Sequence, residues 1–164
     1  MVITSRTVEI LYDLAARLRI ATLLILITAG NATPAQAPQA IALTPSEMVF
    51  STEGLALPGM GQVNLVGDPT KPGPYTVRLQ FPDGYRIDAH HHPDAREVTI
   101  LSGTYMTGYG SVFDPKALKE LPAGSFYTEP AGMPHFIITR GTVVIQVSGT
   151  GPSARVFVTP HQEH

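Results

Sequence analysis

The chain has 164 residues, room for one domain and a leader, and its 11 basic and 13 acidic residues leave a formal charge of −2. No basic run could track a phosphate backbone, so no nucleic-acid partner is expected. Cysteine is absent, which removes disulfides and thiolate metal sites together; any bound metal must be held by imidazole and carboxylate.

In chain order, Arg6, Arg17 and Arg19 precede an apolar stretch from Ile20 to Ala29, and Ala35-Gln36-Ala37 follows as a small-x-small site. A basic region, a short apolar region and a small-residue cleavage site make a secretory signal peptide. Residues 1–37 are therefore expected to be that signal and 38–164 a single domain, periplasmic or secreted. The apolar stretch is too short to span a bilayer, so no stable membrane span is expected after cleavage.

From residue 39 onward the chain reads as all-β. Its 15 glycines and 15 prolines punctuate short apolar runs, as in sandwiches and barrels. Strands are predicted over 62–66, 75–81, 85–92, 96–101, 105–109, 125–129, 135–139, 142–147 and 155–158. Turn chemistry separates them, including Pro82-Asp-Gly84, Ser102-Gly103 and Arg140-Gly141. Only 114–121 reads as a short helical or irregular crossing. Ahead of the first strand, Ile41, Leu43, Met48, Val49 and Phe50 need cover, which a homodimer would supply.

Two segments carry chemistry. One runs Gly84-Tyr-Arg-Ile-Asp-Ala-His90-His-His92-Pro-Asp-Ala-Arg-Glu97 and on to Gly103; the other runs Gly124-Ser-Phe-Tyr-Thr-Glu-Pro130-Ala-Gly132-Met-Pro-His135. His90 and His92, two apart on a strand, aim to the same face. Pro130 and Gly132 shape the turn before His135. The segments resemble the two signature motifs of the cupin superfamily, with Thr139 where the second motif has Asn. The resemblance covers roughly 76–158 and implies a small cupin-type double-stranded β-helix, a jelly-roll barrel.

The same resemblance implies a metal site built from His90, His92, Glu97 and His135. Imidazole suits iron, nickel, copper and zinc, and a carboxylate adds manganese. One conflict stands inside the first motif. Counted from His92 the carboxylate falls on Glu97, but counted back from Gly103 the same position falls on Arg96, and a one-residue shift turns a side chain to the opposite face. A bulge near 94–96 would bring Glu97 in; without it Arg96 faces inward, favouring an anionic substrate or a partner for Glu97. His161 and His164 lie in a terminal tail.

The resulting expectation is a divalent transition metal in a barrel that takes a small-molecule substrate or ligand. Dioxygenase, isomerase or lyase chemistry would suit such a site, with Tyr105, Tyr109 and Arg78 as candidate catalytic or anchoring residues. The alternative is a non-catalytic barrel that binds or senses a small ligand or a metal. No phosphate loop, cysteine nucleophile or Ser-His-Asp order points to other chemistry.

Overall fold

The computed structural model describes residues 40–158, except 54 and 56. The expected signal peptide and the two tail histidines lie outside the described residues. Among these, no helix is long and apolar enough to cross a membrane.

Eight strands form the fold: β1 (Gly61–Val66), β2 (Gly73–Phe81), β3 (Arg86–His91), β4 (Arg96–Tyr109), β5 (Lys119–Pro122), β6 (Phe126–Glu129), β7 (His135–Gly151) and β8 (Val156–Phe157). All pairings are antiparallel. β7 is the spine. Its first half lies between β3 and the second half of β4, and its second half between β2 and the first half of β4. β1, β2, late β7, early β4 and β6 thus make one sheet, and β8, β3, early β7, late β4 and β5 the other. The inner faces meet in a single core cluster. Val77, Leu79, Val98, Ile100, Val143, Ile145 and Val147 enter it from one side and Ile87, Tyr105, Leu121 and Ile137 from the other. This is the small all-β jelly roll expected from the motifs.

Two predicted turns are bends inside continuous strands. Residues 96–101 and 105–109 belong to one strand, as do 135–139 and 142–147. β4 slips register on both sides of Ser102, and Gly103 takes φ +69°. A Cβ on Gly103 would stand 2.7 Å from both the Thr142 carbonyl oxygen and Val143 Cγ2, so the strands cross where only glycine fits. The inward set changes parity there: Arg96, Val98 and Ile100 before the bend, Tyr105 and Thr107 after it. The predicted crossing at 114–121 resolves into a 3-10 turn over Pro115–Ala117, capped by the Asp114 side chain, followed by β5. Thr139 in the Asn position is structural. Its hydroxyl donates to the Pro82 carbonyl (2.7 Å) and accepts from the Tyr85 amide (2.8 Å), tying down the turn before β3.

Candidate metal centre

β3 begins with Ile87 inside, then slips register between Ile87 and His90. The slip, together with the alternation of a strand, sends both His90 and His92 inward. His135 opens β7 directly opposite His90. The turn ahead of it closes through the Met133 amide on the Pro130 carbonyl (3.0 Å), and Gly132 (φ +71°) donates its amide to the His92 carbonyl at 2.8 Å. One hydrogen bond thereby ties the second motif to the first.

The three rings are almost sealed from solvent, at 1–2 % exposure. Their centroids lie 4.3 Å (His90–His135), 5.1 Å (His90–His92) and 5.3 Å (His92–His135) apart. One ring nitrogen from each lies within 4.8 Å of the others, a spacing that could hold a metal ion. Each Nδ1 meets a backbone carbonyl: His90 that of Asp88 at 2.8 Å, His92 that of Ala154 at 2.6 Å, His135 that of Met133 at 3.2 Å. A carbonyl can only accept, so each Nδ1 carries the proton and each Nε2 presents a lone pair to the interior, the arrangement of metal-ligating histidine. Burial holds His90 at about 3, aided by the proximity of His135, and His92 at about 3, aided by Arg96. Both rings are therefore neutral at physiological pH, as ligation requires.

A buried carboxylate that the motif reading missed completes the cluster. Glu129, the last residue of β6, sits with Oε1 3.4 Å from His135 Nε2 and Oε2 3.5 Å from His92 Nε2. Tyr127 donates to Oε1 at 2.6 Å, and its hydroxyl lies 3.1 Å from that of Tyr105. Burial by itself raises the Glu129 carboxyl. The adjoining His135, and after it the Arg96 guanidinium and His92, outweigh it and hold the group well below the carboxylate range. His135 Nε2 and Glu129 Oε2 are buried without hydrogen-bond partners, unmet polar atoms that a cation between them would satisfy. The only available signal for Glu129 was parity: it ends a predicted strand, two residues from Tyr127 and next to Pro130.

Arg96 faces inward from β4, paired with Glu129 across the ladder. Its Nη1 stands 3.0 Å from His92 Nε2, its Nη2 donates to Ser153 Oγ, and its Nε lies 3.6 Å from Asp94 Oδ2. Tyr75 in turn donates to Asp94 Oδ2 at 2.6 Å. A metal on His92 Nε2 would require Nη1 to turn aside, and Glu129 Oε2, 3.6 Å away, offers it an alternative partner. His92 and Arg96 lie on the wall of a cavity of about 210 Å³, with Leu55, Met60, Val77 and Arg155.

Residues 51–154 match the family described as Domain of unknown function (DUF4437). The chain belongs to this cupin-like family. No curated protein matches the sequence. Among solved structures, the fold is similar to the polyketide cyclase RemF from Streptomyces resistomycificus, at 15 % identity over 76 % of this chain and 89 % of that one, with a TM-score of 0.60. An RmlC-like cupin from Shewanella frigidimarina aligns at 14 % identity over 68 % of this chain and 91 % of that one, TM-score 0.54. The salicylate 1,2-dioxygenase of Pseudoaminobacter salicylatoxidans, in its adducts with gentisate, aligns at 12 % identity over 62 % of this chain and 29 % of that one, TM-score 0.50. At these identities the likeness is one of fold.

In this DUF4437 protein the three histidines come together, and the other expected site residues are redistributed. Glu97 is a correction: it is exposed on the outer face of β4, because the register slips lie beyond Ile100 rather than at 94–96, which leaves Arg96 inside. Arg78 is another. β2 buries Tyr75, Val77, Leu79 and Phe81, so Arg78 points away from the core and donates its Nε to Gln146 Oε1. Tyr109, the last residue of β4, is 47 % exposed, with its hydroxyl on the Thr128 carbonyl. Tyr105 is buried but stands one hydroxyl behind Glu129, a positioning residue rather than one in contact with the histidines.

Proposed function

We propose that this protein is an exported metal-dependent enzyme acting on a small organic molecule, with His90, His92 and His135 holding a divalent transition metal and Glu129 as the adjoining carboxylate. The observation that carries the reading is the buried triad itself, with every Nδ1 committed to a backbone carbonyl and every Nε2 turned to one interior point. A three-nitrogen, one-oxygen set suits iron, manganese, nickel, zinc or copper. When bound, such an ion polarises a carbonyl, activates water or engages oxygen.

The chain's own residues do the rest. Carbonyls of Asp88, Ala154 and Met133 fix the ring tautomers. Tyr127, backed by Tyr105, holds Glu129 in place, and the depressed carboxyl stays an anion able to bond a metal. The burial of the triad excludes bulk water. Glu129 favours an enzyme over a passive binder, since it puts an ionised group beside the histidine nitrogens. A cyclase and a dioxygenase among the fold neighbours support small-molecule chemistry.

The test is elemental analysis of tag-free protein lacking its last four residues, beside a His135→Ala variant. Near-stoichiometric metal that disappears in the variant is the expected result, and the metal found then directs the choice of substrates. Equal emptiness of both proteins after reconstitution would overturn the reading and leave a ligand-binding barrel.

A further inference from the structure

The interior holds more positive charge than a metal site needs. Arg155 projects from the 152–155 segment that joins β7 to β8 and, with Ser153 and Ala154, covers His92. Its Nε is buried without a hydrogen-bond partner, and the same is true of Arg96 Nε. The carboxylates nearest Arg96 stand at 3.6 Å, outside hydrogen-bond distance. Both arginines line the 210 Å³ cavity, whose remaining wall is largely apolar: Leu55, Met60, Val77, Leu79 and Val147.

The formal charges sharpen the point. Two guanidiniums face two carboxylates, Asp94 and Glu129, among the described residues of this interior. A divalent metal on the triad would leave the interior two charges positive. Low-dielectric surroundings make such an excess costly unless an anion enters. The cavity is smaller than the roughly 300–1,000 Å³ typical of drug-sized ligands, so the anion must be small. No helix N-terminus, the usual phosphate cradle, lines it among the described residues. The planar guanidinium fork matches carboxylate and phosphate alike, and the apolar side chains of the wall favour the carboxylate of an organic acid.

We propose that the cavity binds the carboxylate of a small, mainly apolar organic acid, with Arg155 and Arg96 as the anion-binding pair and the β2 and β7 side chains as the apolar wall. This names the substrate class of the metal site and rests on that reading for turnover, whereas the anion site itself consists of residues that hold no metal.

The test is calorimetric titration of metal-loaded and metal-free protein with acetate, hexanoate and benzoate, each against its neutral amide. Arg155→Gln is titrated alongside, and metal content is measured on the same samples. Selectivity of about tenfold or more for at least one acid over its amide is expected, stronger with metal than without. Arg155→Gln should lose about tenfold of that affinity while keeping its metal. Acid and amide binding alike, no acid binding in either form, or full affinity in Arg155→Gln would each overturn the proposal. Displacement by inorganic phosphate at equal concentration would overturn the carboxylate assignment. A wild-type protein that takes up no metal on loading yet selects the acids would sink the metal reading alone.

Discussion

At the residue scale, the deciding fact is which carboxylate meets the histidines. Glu129 and Glu97 differ by a face of the sheet, not by chemistry. Glu129→Gln keeps the shape of the side chain but removes the charge between His92 and His135. It should cut metal affinity by about 10–100-fold, whereas Glu97→Gln should leave the metal content of dialysed protein unchanged. Equal retention in both variants would remove Glu129 from the site. The histidines also impose a pH dependence on the metal-free protein. The folded values of His90 and His92, near 3, lie below the unfolded value of about 6.5. The unfolded chain therefore gains protons that the native chain refuses as pH falls, and stability drops progressively between about pH 6.5 and 3. Glu129, also depressed, acts in the same sense: its contribution is present above the unfolded carboxyl value and is lost on further acidification. The urea midpoint should fall from pH 7.5 to 4.5, and less steeply in His90→Asn; a flat profile would contradict the burial argument.

At the scale of elements, the site depends on two irregularities in otherwise regular strands. The slip in β3 lets His90 and His92 face inward after Ile87. The bend in β4 at Gly103 lets Arg96 and Tyr105 share one interior although their positions differ in parity. Gly103 and Gly84 both have positive φ, at +69° and +70°, but a Cβ on Gly84 meets nothing within 4 Å. Gly84→Ala should cost about 1 kcal/mol from backbone conformation alone. Gly103→Ala carries that cost plus the clash with Thr142 and Val143, about 3 kcal/mol in all. Chemical denaturation measures both, and equal losses would show that β4 and β7 do not approach so closely at the bend.

At the scale of the molecule, the barrel is a frame that closes over polar groups it cannot satisfy by itself. The unmet atoms of His135 and Glu129 make the empty state costlier than the filled one. Ligand linkage turns that into stability. Metal at about 100 times its dissociation constant adds about 2.7 kcal/mol, which for a fold of this size raises the melting temperature by about 10 °C. Calorimetry should show the rise in wild type and none in His135→Ala. A rise of similar size in both would place the binding elsewhere.

Local pattern was enough to read the all-β class and the turn that carries His135, whereas the jelly roll and the meeting of His90, His92 and His135 rested on the resemblance of two motifs to those of cupins. Alternation at His90 and His92, and the Pro130-Ala-Gly132 spacing ahead of His135, are properties of adjacent residues and need no knowledge of the rest of the chain. The sequence also posed the choice between Arg96 and Glu97, since two counts of one motif disagreed. What only the tertiary structure decided was everything that depends on register between distant strands. A strand repeats every two residues, so one slip exchanges its faces. Where the slips fall is set by how β4 crosses β7 at Gly103, through contact with Thr142 and Val143 some forty positions away. That crossing turns Arg96 inward and Glu97 outward. The pairing of β6 with β4 then sets Glu129 beside Arg96 and completes the cluster with His92 and His135.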